Sequence, residues 1–374
     1  MSGHINTWRN RYNDLEAAHL TRVEREFRIG DKGRLFWKGQ EFIDLSSNFY
    51  LGRDLKVVSG DYGSSGSRLI TGTSPEHINL EASLSEMHKY EASILFNSGY
   101  HANTGVIPTL ARKSDLLISD ELNHGSIVDG CRLSKADLKI LNHNDISQLE
   151  RILSQERKNY ENVWVICESI YSMDGDCAPL IKYRELCDSY EALLMVDESH
   201  ALGVRGAGRG LCHELGLSAD LMVGTFAKSY AAFGAFVSGS DFLVKILRNT
   251  ARSYLFSTAL PPAVINFISH RISWIQKEEG QLEIMKLQKN CELVRELLGL
   301  DISSTHIVPI LIDGNERVLK AAKELETAGV MVHGIRSPTV KVGTERLRIS
   351  LRSNLSESDI RHSCSSILNV LDRY

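Results

Sequence analysis

Short runs of apolar residues recur through the middle of the chain, separated by helix-length segments. The runs cover residues 94–96, 116–119, 139–141, 163–167, 193–196 and 221–226. Most are continuously apolar and do not alternate with polar residues, which is typical of strands covered on both faces. Strands that alternate with helices in this way predict an α/β fold with a mostly parallel central sheet.

Charged and amphipathic segments flank this region. Residues 6–28 are predicted to form one helix, followed by short strands at residues 35–37 and 41–45. After Pro261 and Pro262 the pattern predicts helices at 263–277, 281–298, 316–328 and 357–371, and strands at 307–312, 331–334 and 347–351. We therefore expect an N-terminal helix with short strands (1–44), a large domain (45–260) and a smaller C-terminal α/β domain (261–374).

Composition narrows the class of protein. The 374 residues carry 43 Lys and Arg against 47 Asp and Glu, a net charge of −4, which argues against nucleic-acid binding. We find no apolar run long enough to span a membrane and no signal peptide at the N-terminus. The seven scattered cysteines are typical of reduced thiols. We therefore expect a cytoplasmic protein that contacts neither membrane nor nucleic acid.

Two common site types are not expected. The glycine-rich segment 203–210 does not satisfy G-x-G-x-x-G and has no lysine, so it predicts neither a dinucleotide site nor a P-loop. No His-Glu-x-x-His motif occurs, and His200 and His213 are too far apart for a pair of ligands on one helix, so no metal is expected.

Two charged residues follow neighbouring strands. Asp197 stands at the carboxyl end of the run 193–196, and Lys228 follows the run 221–226. One helix and its loops fit between them, so both side chains can converge at the edge of the sheet where ligands bind. An acid that can pair with a pyridinium nitrogen and a lysine that can form an imine are the protein groups that pyridoxal 5′-phosphate (PLP) requires.

Two further segments fit a PLP site. Residues 97–103 lie between a short strand and a helix, where backbone amides and the helix dipole can bind a phosphate. His124 follows the run 116–119, and its ring could stack on a planar cofactor. A simple helix cap by Ser98 and a capping or surface role for His124 are the alternative readings.

Nine segments, in order, carry a family resemblance: SSNFYLG, GSSGSRLITGT, FNSGYHAN, ELNHGSIVDG, ESIYSMDGD, MVDESHALGVRGAGRG, GTFAKS, FSTALPP and RSPTVKVGTERLRISL. They extend from about residue 40 to the C-terminus. With them the chain resembles the α-oxoamine synthases, PLP-dependent enzymes that condense an amino acid with an acyl-CoA. The resemblance implies a fold-type I PLP transferase of the aspartate-aminotransferase type. It also implies a homodimer with its active site at the subunit interface.

The resemblance also implies roles for single residues. In the catalytic group, Lys228 would hold PLP, Asp197 would pair with its ring nitrogen, His124 would stack on the ring and His200 would hydrogen-bond its phenolic oxygen. The other cofactor-binding residues would be Ser172 beside the ring, Gly99, Tyr100 and Thr225 at the phosphate, and Ser257 and Thr258 at the phosphate of the neighbouring subunit. Substrate would be bound by Arg348, through the amino-acid carboxylate, and by Asn48, Arg22 and Thr339.

The expected reaction joins L-alanine to a pimeloyl thioester, carried by CoA or by an acyl carrier protein, with loss of CO2. One alternative is a sister enzyme that uses glycine with acetyl-CoA, or a quorum-signal synthase with another amino donor and a fatty acyl thioester. An alternative of a different class is a non-catalytic subunit that keeps the fold as a scaffold.

The lysine loop departs from the family pattern. Ala227, Ser229 and Ala231 stand near Lys228 where family members usually carry glycines. The added Cβ atoms restrict the backbone and are expected to tighten the pocket. Phe49 also replaces the usual Asp or Asn, and Ser199 a frequent Ala.

Overall fold

The computed structural model describes residues 3–52, 58–300 and 305–374. Its helices are α1 (Gly3–Ala17), α2 (Pro75–His88), α3 (Gly99–Leu110), α4 (Gly125–Leu133), α5 (Ile146–Glu156), α6 (Leu180–Ser189), α7 (Leu211–Glu214), α8 (Asp241–Thr250), α9 (Arg252–Leu255), α10 (Pro262–Ile275), α11 (Glu278–Leu298), α12 (Asn315–Thr327) and α13 (Glu357–Leu371).

The strands are β1 (Arg28–Ile29), β2 (Arg34–Trp37), β3 (Gln40–Asp44), β4 (Ala92–Phe96), β5 (Leu116–Asp120), β6 (Asp137–Leu141), β7 (Val163–Glu168), β8 (Leu193–Asp197), β9 (Leu221–Thr225), β10 (Ala235–Gly239), β11 (Ile307–Leu311), β12 (Val330–Met331), β13 (His333–Ile335) and β14 (Arg346–Ser350). Short 3-10 turns cover Arg157–Asn159 and Gly206–Gly208.

The chain divides into two units. The central unit comprises Arg53–Ser172 and Asp176–Met285, and the terminal unit comprises Met1–Gly52, Met173–Gly175 and Lys286–Tyr374. The helix that follows Pro261 thus belongs to the central unit. The domain boundaries expected from sequence, at 44/45 and 260/261, stay a prediction.

The central unit is built on one large sheet. Within the described residues its strand order is β4-β10-β9-β8-β7-β5-β6. Neighbours from β9 to β6 pair in parallel, whereas β10 is antiparallel to both β4 and β9. Every residue of β5, β7, β9 and β10 is buried, so both faces of these strands are covered. For β5, β7 and β9 this agrees with their continuous apolar runs. The α/β class with a mostly parallel sheet is confirmed.

Helix α3 carries much of the core of this unit. Its buried residues Val106 and Ile107 belong to one apolar cluster with Ile127 of α4, Leu247 of α8 and the strand residue Val223. Burying an aliphatic side chain of this size stabilises the fold by about 1.5–3 kcal/mol. The cluster therefore anchors the helix whose N-terminus contributes to the site described below.

The terminal unit contains two small sheets. One has the order β1-β2-β3-β12, with β12 parallel to β3, and the other has the antiparallel order β11-β14-β13. The turn Met173–Gly175 belongs to this unit and packs tightly on β11. Gly175 has φ +69°, and a Cβ built there would lie 2.1 Å from the carbonyl oxygen of Ile307, so only glycine fits.

Two local expectations were wrong, and one strand was missed. The N-terminal helix ends at Ala17 and not at residue 28, because the segment that follows is polar and β1 begins at Arg28. The strand expected at 331–334 is two short strands, β12 and β13, in different sheets. Strand β10 was not predicted. Within the described ranges, no helix is both long and apolar enough to cross a membrane.

Candidate active site

Polar residues end three adjacent strands of the central sheet. Glu168 closes β7, Asp197 closes β8 and Thr225 closes β9. Glu168 and Asp197 are direct partners in the parallel pairing of β7 with β8. The carboxyl edge of a parallel sheet is where ligands bind in α/β folds, and the structure places these three polar side chains there.

Asp197 is buried, and hydrogen bonds hold its carboxylate. Oδ2 accepts from Nδ2 of Asn103 (2.9 Å), and Oδ1 accepts from the backbone N–H of Ser199 (2.9 Å). Asn103 Nδ2 also donates to Ser126 Oγ (3.0 Å). A carboxylate fixed in this way can pair with a cationic ring nitrogen without first having to be oriented.

His124 is tied to the same network through Ser126. The backbone N–H of Ser126 donates to His124 Nδ1 (3.2 Å), which makes His124 the N-cap of α4, and Ser126 Oγ lies 2.8 Å from Nδ1. A neutral imidazole that accepts at Nδ1 carries its proton on Nε2. Desolvation lowers the pKa of His124; Asp197 opposes that shift and Lys228 adds to it. Asp197 and Lys228 thus both lie within electrostatic range of this ring.

Glu168 is a site residue that the sequence reasoning missed. It is buried, and its Oε1 accepts from the backbone N–H of His124 (2.6 Å). Burial and the neighbouring charge of Asp197 raise its pKa to about 8, while Lys228 opposes the rise. The signal was present in the sequence, since Glu168 ends a buried apolar run in the same way as Asp197.

Lys228 lies, half-buried, in a tightly bonded loop after β9. The backbone N–H of Ala231 donates to the carbonyl of Lys228 (2.9 Å), which closes a turn. Thr225 Oγ1 accepts from the backbone N–H of Ala227 (3.2 Å) and donates to the carbonyl of Gly234 (3.0 Å). The loop is therefore held at both ends, and the lysine backbone has little freedom.

The start of α3 lies beside Thr225. A Cβ built on Gly99 would lie 3.7 Å from Cβ of Thr225. The backbone N–H groups of Gly99 and Tyr100 open the helix, where helical geometry provides no intrahelical acceptor. Ser98 caps the helix by accepting from the backbone N–H of His101 (3.2 Å). The cap does not compete with an anion, because Ser98 binds the amide of His101 and leaves the amides of Gly99 and Tyr100 available.

The remaining residues expected at the cofactor also lie in the central unit. Ser172 and His200 are buried. Thr258 forms an antiparallel bridge with Ser67, and its carbonyl accepts from Asn97 Nδ2 (2.8 Å), so it lies next to the segment that precedes α3 in the same chain. The contact of Ser257 and Thr258 with a neighbouring subunit stays a prediction, as do the roles of Ser172 and His200.

The residues expected to bind substrate form two pairs in the terminal unit. Arg348 is buried on β14 and donates to Oδ1 of Asn48 (3.2 Å) and to Oγ of Ser350 (2.6 Å). Arg22 is exposed and donates to Oγ1 of Thr339 (3.3 Å). The structure thus brings Arg348 to Asn48 and Arg22 to Thr339, and their substrate roles stay predictions.

The donor set of the central unit fits PLP. It offers a buried carboxylate for the ring nitrogen, an amine for the aldehyde, and a helix N-terminus with an adjacent hydroxyl for the phosphate. Asp197, Lys228, Gly99 and Thr225 supply these groups. These four residues stand at or just after the ends of strands of the same sheet, which is why residues distant in sequence contribute to one site.

Comparisons with known proteins agree with this reading. Residues 40–367 match the family model described as aminotransferase class I and II. An 8-amino-7-oxononanoate synthase from Geobacter sulfurreducens is 39% identical over 95% of this chain and 95% of its own length. A serine palmitoyltransferase variant from S. paucimobilis, solved with a PLP–myriocin adduct, superposes with a TM-score of 0.90 and 26% identity over 99% of this chain and 98% of that one.

A serine palmitoyltransferase from Sphingomonas wittichii superposes almost equally well, with a TM-score of 0.89 and 27% identity over 98% of this chain and 97% of that one. These likenesses confirm the fold-type I architecture and PLP as the cofactor. The chain therefore belongs to the aminotransferase class I and II family and is, within it, a PLP-dependent acyltransferase of the α-oxoamine synthase group.

Proposed function

We propose that the enzyme condenses L-alanine with a pimeloyl thioester to give 8-amino-7-oxononanoate, CO2 and free thiol, as a step of biotin synthesis. The observation that carries this proposal is the 39% identity, over 95% of both chains, to a relative named for that product. The new bond joins the alanine α-carbon to the thioester carbonyl. The thiol leaves with a proton, and the alanine carboxylate departs as CO2.

Each site residue takes a role suited to its surroundings. PLP, when bound, supplies an electron sink for the α-carbon of the amino acid. Lys228 Nζ removes the α-proton and later returns a proton to the product. Asp197, held by Asn103 and Ser199, keeps the positive charge on the ring nitrogen. Arg348 binds the amino-acid carboxylate, for which a guanidinium is well shaped.

A second candidate uses L-serine and a longer acyl thioester. The likeness to serine palmitoyltransferases favours it, at 26–27% identity and TM-scores of 0.89–0.90. The 39% identity to the Geobacter enzyme favours alanine and a pimeloyl group over this pair.

The test is a matrix of amino acids against acyl donors with the PLP-loaded enzyme. L-alanine, glycine and L-serine are each combined with pimeloyl-CoA, pimeloyl acyl carrier protein, acetyl-CoA and palmitoyl-CoA. Released thiol and the mass of the product are measured. We expect the highest kcat/KM for L-alanine with a pimeloyl thioester, and a higher value for another pair would replace the proposal.

Replacing Lys228 with Ala removes the proposed base. Loss of a general base costs about 10²–10⁴-fold in rate, so Lys228→Ala should form no measurable product. Lys135→Ala, at an exposed position on the same unit, is the matched control and should keep wild-type turnover. Turnover by Lys228→Ala within tenfold of wild type would contradict the assignment.

We also infer that the enzyme is a cytoplasmic homodimer. Apolar side chains are exposed around the segment that contains Ser257 and Thr258: Phe256 is 73% exposed, Ile70 78% and Tyr62 79%. Such a patch on one chain is typical of a protein interface. All seven cysteines are free thiols, which supports a reducing compartment.

A further inference from the structure

A cavity of about 200 Å³ lies in the central unit, apart from the residues assigned to the cofactor. Its walls come from the C-terminal end of α2, from α7 with the loops on either side of it, and from the start of β9. A single water needs only about 10–15 Å³ on such a measure, so the cavity can hold a small molecule.

Basic side chains dominate its walls. His88, Lys89, Arg209 and His213 line it, and none of the described lining residues is Asp or Glu. Desolvation lowers the pKa of His213, and Arg209 and Lys89 lower it further. Burial, together with His213 and Arg209, lowers the pKa of His88 to about 3. Each of these groups therefore disfavours positive charge on the others, and an anion bound between them would relieve that repulsion.

Two buried polar atoms in the wall have no well-aligned hydrogen-bond partner among the described residues, although backbone groups of Arg209 and Ala219 approach the His88 ring and the Tyr90 hydroxyl. The two atoms are Nε2 of His88, a residue that is only 8% exposed, and the hydroxyl of Tyr90. A buried polar group without a partner costs about 1–3 kcal/mol, so such atoms are rare and indicate a missing ligand. The cavity therefore offers hydrogen-bonding groups as well as positive charge.

Two acidic residues whose charge acts on Tyr90, Glu198 and Asp220, already have partners. Asp220 Oδ2 accepts from Arg184 (2.8 Å) and from the backbone N–H of Leu194 (2.7 Å). The charge of Glu198 acts on Tyr90, but its carboxylate accepts from the backbone N–H groups of Leu211 (2.9 Å) and Cys212 (2.6 Å) and from Ser169 Oγ (2.7 Å). Arg209 donates through Nε to Gln276 Oε1 (3.4 Å), a neutral partner. Its charge is therefore available to a ligand in the cavity.

We propose that this cavity binds a small, doubly charged oxyanion, either a phosphate group or a dicarboxylate. Lys89 and Arg209 supply the balancing charge, and His88 Nε2 and the Tyr90 hydroxyl supply hydrogen bonds. The two oxyanion classes share this chemistry and differ in the spacing of their oxygens.

Isothermal titration of the PLP-loaded enzyme tests the proposal. Inorganic phosphate and malonate are titrated separately at constant ionic strength, with chloride as the reference anion. Loading with PLP keeps the cofactor phosphate site occupied. We expect one site per chain for phosphate or malonate, with Kd raised about 10- to 100-fold by either Arg209→Gln or Lys89→Gln, since a charge-assisted hydrogen bond contributes about 1.5–3 kcal/mol.

Lys135→Gln is the matched control: Lys135 is exposed and does not line the cavity, so this change should leave Kd unchanged. Thermal melts show whether each variant is folded, and His213→Gln provides a further variant if Arg209→Gln is unstable. Binding by phosphate alone or by malonate alone selects the ligand class. Absence of binding by both anions, or binding that survives both Arg209→Gln and Lys89→Gln, would overturn the proposal.

Discussion

At the scale of single residues, two acidic side chains lie side by side at the ends of β7 and β8. Glu168 and Asp197 are register partners, and the charge of Asp197 acts with burial to raise the pKa of Glu168 to about 8. At neutral pH Glu168 therefore keeps its proton for most of the time, which leaves Asp197 as the carboxylate that we propose to pair with the ring nitrogen. Adjacent carboxyl groups commonly divide their protonation in this way.

Glu168 should make the cofactor-free protein less stable as pH rises. Its proton is lost near pH 4.5 in the unfolded chain but only near pH 8 in the folded one, so stability falls across that interval. Urea unfolding at pH 5.5 and 8.5 measures the fall. In Glu168→Gln the fall should be smaller by at least about 1 kcal/mol. Glu150→Gln, at an exposed position of α5, should retain the wild-type fall, and an equal fall in Glu168→Gln would contradict the assignment.

Ala231 is strained next to the lysine. Its φ of +51° lies in the left-handed region, which costs an L-residue about 1–2 kcal/mol. Ala231→Gly removes that cost, but it also raises the entropy of the unfolded chain, which costs about 0.4–1 kcal/mol, so we expect a net gain of up to about 1.5 kcal/mol. Ala232→Gly, one residue on, should instead lose about 0.5–1 kcal/mol. Thermal unfolding compares the two, and equal signs would refute this account.

At the scale of elements, the turn after β7 is held by one histidine. His143 lies between two carboxylates, with Nδ1 2.9 Å from Asp120 Oδ1 and Nε2 2.8 Å from Asp176 Oδ2. Although burial opposes charge on His143, these hydrogen bonds raise its pKa to about 10. The backbone N–H of Tyr171 donates to the carbonyl of Asp176 (3.0 Å), so His143, by holding Asp176, also fixes the segment that carries Ser172.

Replacing His143 with Gln should destabilise the enzyme in a pH-dependent way. A raised folded-state pKa contributes stability that is complete below about pH 6.5 and is lost as pH rises through 10. We expect His143→Gln to lower the free energy of unfolding by about 2 kcal/mol at pH 6 and by much less at pH 10.5. A loss that is the same at both pH values would indicate packing and not charge.

Among elements, the parallel strands could be predicted and β10 could not. The runs that became β5, β7, β8 and β9 are apolar on both faces, and helix-length segments separate them. Ala235–Gly239 is short and contains Ser238 and Gly239. Strand β10 is also antiparallel to its neighbours, so the alternation of strands with helices, which predicts parallel strands, gave no sign of it. The N-terminal helix was overestimated because charged residues continue past its end.

The site residues that could be predicted are those that stand at or just after the end of a strand. Asp197, Lys228 and Gly99 stand in such positions and could be read from the chain. Glu168 was missed although it ends a buried apolar run as Asp197 does. Asn103 could not be read from the chain, because its contact with Asp197 joins segments that are distant in sequence.

At the scale of the whole molecule, we infer that a second copy of the chain covers the exposed apolar patch near Thr258. Phe256→Asp should shift the enzyme toward monomer, because it places a charge in the inferred interface. Phe242→Asp is a matched control, since Phe242 on α8 is equally exposed at 73%. Sedimentation velocity measures the mass. A dimer that survives Phe256→Asp, or dissociates equally in both variants, would contradict this location.

The antiparallel insertion of β10 has a consequence for synthesis. Ser93 of β4 and Ser238 of β10 lie 145 residues apart in the chain, yet their hydroxyl oxygens are 2.7 Å apart in the sheet. At roughly 5–20 residues per second, a ribosome needs roughly 7–30 s to make the intervening chain. Throughout that interval Ile94 and Phe96 have no neighbouring strand on that side. The nascent polypeptide thus carries an unpaired, apolar edge, and a chaperone at the ribosome exit would protect it until its partner emerges.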